Sequence, residues 1–284
     1  MGFITKLDIS TCCAFGSQMS QYATMVAVGK HNRLQPLFVQ ETLNQGFGFL
    51  IGTPFKHSPA VVSISELKNL PVNNFTVKQD ENNLIDKELF SLSSNQNYLI
   101  NGDIGLYSYF HNIRNELLKL YSFKDEINNF CLDYLKTHKR ENETVVSICF
   151  RRGDYLTEAS LNLSLEYYNE ALKTIQNLLP NKKIKYFVFS GAAYGDDGMS
   201  WVKENFKLNN AVYVENLDRF QQMCLMSLCD HNIIANSSFP WWGAYLNQNE
   251  NKKVICPYNY LDDHRFNYIN GNYFPNEWIA IHQK

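Results

Sequence analysis

The stretch VSICFRRGDYL, Val146 to Leu156, carries the pattern that decides the fold. Apolar residues lead directly into Arg151 and Arg152, and the chain then reaches Gly153 and Asp154. An apolar run that meets a glycine is typical of a buried strand ending in a turn. Three interpretations of the paired arginines are open here: a solvated strand end, an Arg-Gly-Asp adhesion ligand, and a phosphate site.

The sequence around this stretch repeats an alternation of strand and helix. Apolar periodicity predicts strands at 145–150, 186–190, 211–214, 233–235 and 254–256. It predicts helices at 165–179, 201–206, 217–228 and 240–246, and the more N-terminal apolar stripes fit helices within 19–29, 110–120 and 127–134. Short apolar strands between helices indicate a parallel sheet covered on both faces, so the fold class is α/β.

Polar residues follow the predicted strands where ligands of such sheets bind, beyond the carboxyl ends. Arg151 and Arg152 follow the first strand, Ser190 ends the second, and Asn236-Ser237-Ser238 follows the fourth. This coincidence favours the phosphate site. Because neighbouring residues of an extended chain face opposite ways, we expect one arginine to contact the ligand, and we choose Arg152. The other is expected to hold the loop, for instance by pairing with Asp154.

Further candidates lie in the loops. Ser237 or Ser238 is expected to cap a helix, whose first N–H groups would favour an anion. Asp196 or Asp197 could accept hydrogen bonds from a guanine base, although a solvated Asp-Asp-Gly turn is an equally simple interpretation. Near the start, Gly16 permits a tight turn into a helix that Ser17 could cap.

Composition narrows the function classes. The 284 residues carry a net charge of −2 with no basic block, which argues against nucleic acid as a partner. No run reaches the roughly 18 apolar residues of a membrane span, and the first residues lack the charged n-region and long apolar h-region typical of a signal peptide. We expect a cytoplasmic protein, with peripheral association with the inner membrane left open. The seven cysteines lack metal-site spacing and are expected to be buried apolar residues, and no D-x-D motif occurs.

Four segments carry a resemblance to a known family. AFGSQMSQYA at Ala14–Ala23 is similar to GLGNQMFQYA, and CFRRGDY at Cys149–Tyr155 to H-x-R-R-G-D-Y. Phe187–Ser190 matches F-V-F-S, and Asn236–Trp242 matches N-S-[ST]-[FY]-S-W-W except for Pro240. In order and rough spacing the chain resembles the GDP-fucose-dependent α-1,2-fucosyltransferases, glycosyltransferase family 11.

The resemblance implies a GT-B-like fold with two Rossmann-like domains facing a cleft. The charged stretch 138–144 then separates an acceptor-side domain, 1–140, from a GDP-fucose-binding domain, 141–284, whose last residues could pack back on the N-terminal half. The resemblance also implies an inverting transfer of L-fucose from GDP-fucose to the 2-hydroxyl of a terminal galactose in a glycan. It implies no metal, and no cofactor beyond the co-substrate GDP-fucose. Another linkage, such as α-1,6, and a non-catalytic nucleotide- or glycan-binding protein remain alternatives.

The resemblance also implies site residues. Arg152 would grip the donor phosphates. Apart from the resemblance, Asp154 is a candidate general base, because Asp, Glu and His commonly act as bases, and its alternative role is to bond the arginine or the loop backbone. The donor-binding candidates are Gly16, Ser17, Gln18, Arg151, Ser190, Asp197, Asn236, Ser237 and Ser238. The chain departs from the family pattern at Cys13, Ala14 and Ser17, and at Cys149, which stands where the motif has histidine. For the acceptor, only His31, Tyr107 and His111 are candidates.

Overall fold

The chain forms two compact units, Met1–Ser122 and Phe123–Lys284. The structure, a computed structural model, describes residues 1–7, 15–39, 54–58, 60–79, 85–157, 161–191, 198–260 and 271–282. None of the helices in these ranges is long and apolar enough to cross a membrane.

The first unit is built on a parallel sheet in the order β3-β2-β1-β5-β4. Its strands are β1 (Phe3–Thr5), β2 (Gln35–Val39), β3 (Ala60–Val62), β4 (Asn73–Thr76) and β5 (Tyr98–Asn101). Its helices are α1 (Phe15–Asn32), α2 (Ile64–Lys68), α3 (Tyr107–Phe110) and α4 (Arg114–Leu120). Helix α1 is buried along most of its length, because apolar and small residues cover nearly its whole circumference.

The second unit is built on a parallel sheet in the order β11-β10-β9-β6-β7-β8. Its strands are β6 (Glu143–Arg151), β7 (Lys183–Gly191), β8 (Ala211–Tyr213), β9 (His231–Ile233), β10 (Val254–Pro257) and β11 (Ile279–Ile281). Its helices are α5 (Asp125–His138), α6 (Leu165–Leu178), α7 (Met199–Asn205), α8 (Arg219–Leu228) and α9 (Ser238–Leu246).

The strand order of the second unit determines where a ligand can bind. Counted within the unit, the order is 3-2-1-4-5-6, that of the doubly wound Rossmann fold. The order of the strands reverses between β6 and β9, and in folds of this kind ligands bind at the carboxyl ends of the two strands that flank this switch point. Strand β6 is buried on both faces, as its apolar run predicts, and its side chains pack with those of α6.

The predicted strands at 145–150, 186–190, 211–214 and 254–256 are confirmed as β6, β7, β8 and β10. The strand predicted at 233–235 ends two residues earlier, because the chain turns there: the Ser237 N–H donates to the Ala235 carbonyl at 2.8 Å. Residues 279–281 pair with β10 inside the second sheet as β11. The sequence analysis had left open that the last residues pack on the N-terminal half.

Helix α5 belongs to the second unit, whereas the sequence boundary was placed after it. The helix packs against α8, and the Cys131 thiol lies 3.3 Å from the Gln221 carbonyl. The charged stretch that suggested the boundary is the connection from α5 to β6.

A buried amide network joins the centre of this sheet to the helices behind it. The Asn232 side chain donates to Ser147 Oγ at 2.7 Å and to the Met226 carbonyl at 2.9 Å. Its own amide oxygen accepts from Asn247 Nδ2 at 2.9 Å, and Asn247 also donates to the Cys229 carbonyl. One side chain therefore connects β9, β6, the end of α8 and the end of α9.

We predict that Asn232→Ala lowers the free energy of unfolding by about 3 kcal/mol, because it leaves several buried polar groups without partners. Denaturant unfolding measures the loss. The exposed Asn251→Ala is the control and should change the value by less than about 0.5 kcal/mol. Equal stability of the two variants would contradict the role of the network.

Candidate active site

Four segments meet at the carboxyl edge of the second sheet. They are Arg151 at the end of β6 with Arg152 directly after it, Gly191 at the end of β7, the segment 236–238 after β9, and the segment 258–260 after β10. They come together because the strands are parallel and adjacent, so their carboxyl ends lie at one edge. The edge includes the switch point between β6 and β9.

Arg152 is held at this edge by backbone and side-chain contacts. Its N–H donates to the Gly191 carbonyl at 3.1 Å, which extends the pairing of β6 and β7 by one residue. The following Gly153 has φ +59°, a conformation that suits glycine and turns the chain off the strand. The guanidinium carbon lies 3.5 Å from the ring centroid of Trp201 on α7. The loop glycine Gly198 touches the stem of the same side chain.

The electrostatic environment of Arg152 favours an anionic ligand. Its Nε is buried without a hydrogen-bond partner, and no carboxylate of the described ranges pairs with the guanidinium. Desolvation lowers the pKa of Arg152, with Tyr168 acting in the opposite direction, and a guanidinium remains protonated at neutral pH. A partly buried cation without a counter-charge is unfavourable, and a bound anion would remove that cost.

Arg151 has different neighbours and supports the turn after β6. Its guanidinium carbon lies 4.8 Å from the centroid of the Tyr155 ring, and the Tyr155 hydroxyl donates to the Asn236 carbonyl at 3.1 Å. These contacts hold the short 3₁₀ helix Gly153–Thr157 against the segment that leads into α9. The expected partner of Arg151, the Asp154 side chain, lies outside the described part of the structure.

The segment 236–238 is buried and only partly matches its prediction. Ser237 occupies the N-cap position of α9, but its side chain makes no capping hydrogen bond. The predicted N-cap position at Ser237 is therefore confirmed, whereas the predicted capping bond from its side chain is not formed. Asn236 Nδ2 donates to the Leu161 carbonyl at 2.9 Å, while its Oδ1 is buried without a partner.

Tyr260 and Trp201 are contacts that sequence reasoning missed. The Tyr260 ring stacks on Tyr273 with centroids 3.5 Å apart, and burial raises the pKa of Tyr260 so that its hydroxyl stays neutral. Trp201 was visible only as part of a helical pattern. No local sequence pattern predicts that Tyr260 contacts Tyr273 or that Trp201 contacts Arg152, so both contacts depend on the tertiary fold.

Ser190 and Cys149 lie behind this edge and are buried. Ser190 stands opposite Phe150 in the pairing of β7 with β6. Burial raises the pKa of the Cys149 thiol from 9.0 to about 12, with the Arg151 charge acting in the opposite direction. The thiol is therefore neutral at physiological pH and does not reproduce the protonation chemistry of the motif histidine. The cysteines of the described ranges, residues 131, 149, 224, 229 and 256, are buried and free, as the sequence predicts.

The first unit holds the other donor-binding candidates at the start of α1. Ser17 is the third residue of the helix and not its N-cap, so that prediction is wrong: the helix begins at Phe15, which stacks on Phe55 at 6.3 Å. The Gly16 carbonyl accepts from Ser20 Oγ at 3.2 Å, and Gln18 is fully buried.

The remaining candidates divide between described and undescribed residues. Tyr107 and His111 are neighbours whose ring centroids lie 6.3 Å apart, and His31 packs edge-on against Phe90 at 5.3 Å. Asp196, Asp197, Cys13 and Ala14 lie outside the described residues. Across the ranges given above, no cluster of three or more His, Cys, Asp or Glu side chains could hold a metal ion.

Solved structures with similar folds define the fold class of this chain. Fucosyltransferase NodZ from Bradyrhizobium superposes with a TM-score of 0.53 at 11% identity, over 86% of this chain and 93% of that one. POFUT1 superposes with a TM-score of 0.54 at 12% identity, over 90% of this chain and 97% of that one. At such identities the likeness concerns the fold, which is a GT-B-like α/β fold with two parallel sheets.

The sequence comparisons identify the family. The family model of glycosyl transferase family 11 matches residues 2–282, and the chain therefore belongs to this family. The O-antigen biosynthesis glycosyltransferase WbnK of Escherichia coli is 31% identical over 201 residues, which are 64% of either chain. An α-1,2-colitosyltransferase of Escherichia coli is 31% identical over 146 residues, 48% of this chain and 47% of its own. The galactoside α-(1,2)-fucosyltransferase 2 of Mus musculus is 24% identical over 254 residues, 84% of this chain and 67% of its own. The match thus spans less than two-thirds of the length of both bacterial relatives.

We predict that the protein loses stability as the pH rises above about 9, in part through Cys149. The unfolded thiol releases its proton near 9.0, whereas the folded one holds it to about 12, so folding becomes less favourable between these values. Cys149→Ala should flatten the decline by up to about 1.4 kcal/mol per pH unit.

Unfolding free energies between pH 8 and 11 check this expectation. The control Val188→Ala, also fully buried in this sheet, should lower stability by a similar amount at every pH without changing the slope. An unchanged slope in Cys149→Ala would show that the thiol titrates normally.

Proposed function

We propose that this protein is an inverting glycosyltransferase that moves L-fucose from GDP-fucose to the 2-hydroxyl of a terminal galactose in a glycan. The observation that carries the proposal is Arg152, a partly buried cation at the switch point with no counter-charge among the described residues. Membership of family 11, the fold shared with the fucosyltransferase NodZ, and the fold shared with POFUT1, which was solved in complex with GDP-fucose, support the same reaction class.

The role of Arg152 follows from where charge develops. Glycosyl transfer passes through an oxocarbenium-like transition state, and negative charge grows on the departing nucleoside diphosphate. A guanidinium offers two parallel N–H donors that match phosphate oxygens. Arg152 stabilises the leaving GDP more strongly as its charge grows, which lowers the barrier.

The other donor contacts are proposed around this charge. Arg151, Ser190 and the segment 236–238 surround the same sheet edge, and the buried Asn236 Oδ1 is available to accept a bond from a ligand N–H or hydroxyl. The starting turn of α1, residues 16–18, and Asp197 complete the proposed donor set. Asp154 is the proposed general base, because carboxylates commonly act in this role. The reaction is proposed to need no metal, and the first unit is proposed to bind the acceptor.

The α-1,2 linkage and the identity of the donor sugar are proposed from the names of the relatives. The names of the Escherichia coli colitosyltransferase and the mouse fucosyltransferase both specify an α-1,2 linkage, and the mouse name specifies a galactoside acceptor. NodZ is described as an α-1,6-fucosyltransferase, but its likeness is confined to the fold. A second candidate donor sugar is colitose, which the 31% identity to the colitosyltransferase favours.

We predict that Arg152→Ala lowers kcat/KM for GDP-fucose by about 10²–10³, the loss typical of removing a donor that stabilises transition-state charge. Arg152→Lys should recover only part of the rate, because an ammonium lacks the planar pair of donors. The matched control is Arg219→Ala on α8, an exposed arginine that also lies on an aromatic ring, at 5.0 Å from Phe220. A near-wild-type rate in Arg152→Ala would refute the assignment.

A donor and acceptor screen tests the whole reaction. GDP-fucose and the corresponding colitose donor would be offered with lactose, lacto-N-biose and N-acetyllactosamine, with and without a chelator. We expect fucosyl transfer to the galactose 2-hydroxyl, read by linkage analysis, at a rate that the chelator leaves unchanged. A 6-linked product would overturn the linkage, and GDP binding without transfer to any acceptor would indicate a non-catalytic relative.

A further inference from the structure

The contact between Arg152 and Trp201 joins the end of β6 to α7, elements that are distant in sequence. A separation of 3.5 Å between the guanidinium carbon and the ring centroid is that of close face-to-face stacking. Stacking uses the flat face of the guanidinium and leaves its in-plane N–H donors available. The indole can therefore fix the plane of the guanidinium without consuming the donors that a phosphate needs.

Gly198 holds the stem of the same side chain. A Cβ placed on Gly198 would lie 2.7 Å from Arg152 Cβ and 2.9 Å from its Cγ, closer than side chains approach. The glycine has φ +75°, which other residues rarely adopt, and it immediately precedes α7. The chain thus brings backbone against the arginine stem and, within one helical turn, an indole against its head.

We propose that Gly198 and Trp201 form a clamp that positions the Arg152 guanidinium for the diphosphate of the nucleotide-sugar donor. The inference rests on the proposed function, because it assigns to these residues the orientation of the group that meets the phosphates. An unclamped arginine distributes among many rotamers and loses that freedom on binding. A clamped one is already ordered, so both residues act as positioning residues that raise affinity through Arg152.

A purely structural role of Trp201 is the competing explanation. The indole also packs, partly buried, against the core cluster that includes Phe206 and Val202. Loss of that packing would lower stability whatever the arginine does. The two roles differ in one respect: a positioning residue matters for GDP binding only when Arg152 is present.

The test measures GDP affinity by calorimetry in four proteins: wild type, Trp201→Leu, Arg152→Ala and the double variant. We expect Trp201→Leu to weaken GDP binding about 5- to 30-fold in the presence of Arg152 and less than about twofold in its absence. Trp201→Phe retains an aromatic face and should stay within about threefold of wild type. Tyr213→Leu is the matched control, since Tyr213 packs on the same core cluster and its ring lies 5.9 Å from Lys203. It should lower thermal stability and leave GDP affinity unchanged.

The outcomes separate the clamp from the proposed function. Equal effects of Trp201→Leu in both backgrounds, or no effect in either, would overturn the clamp while leaving the phosphate role of Arg152 intact. Wild-type GDP affinity in Arg152→Ala would overturn both. Gly198→Ala provides a second route if Trp201→Leu does not fold: it should weaken GDP binding in an Arg152-dependent way, and wild-type affinity in a folded Gly198→Ala protein would refute the clamp.

Discussion

A guanidinium held at the switch point of a parallel sheet, with no described carboxylate to neutralise it, is the feature on which the account of this protein depends. Arg152 reaches this position because β6 runs between β7 and β9 and ends one residue before it. Its charge is only partly hydrated, which is unfavourable in isolation. The contacts of its backbone and side-chain stem hold Arg152 in place despite this cost. A bound anion would remove the cost by neutralising the charge.

The second sheet supplies the rigidity that such a site needs. Strand β6 pairs with β7 along its whole length, and the Asn232 network connects the neighbouring β9 to the two helices behind it. The aromatic stack of Phe150 on Tyr168, with centroids 4.0 Å apart, packs α6 beneath the same strand end. A charge placed on rigid elements keeps its orientation without a ligand, which is the condition for electrostatic stabilisation of a leaving group.

Much of this unit could be predicted from the sequence, and the exceptions have physical causes. Apolar periodicity gave the strands because a parallel sheet buries both faces of each strand, so β6, β7, β8 and β10 stand out as apolar runs. In the first unit Ser17 is not a cap, because α1 begins two residues before it, and at α9 Ser237 stands at the N-cap position without a capping bond from its side chain. The contact between Arg152 and Trp201 could not be predicted, because the two residues are far apart in the sequence and no local pattern links them.

The structure of the complex with GDP tests the central claim most directly. We predict that diphosphate oxygens lie within hydrogen-bonding distance of the Arg152 guanidinium and next to residues 236–238, with the guanidinium still stacked on Trp201. A nucleotide bound elsewhere, or one whose phosphates point away from Arg152, would contradict the account.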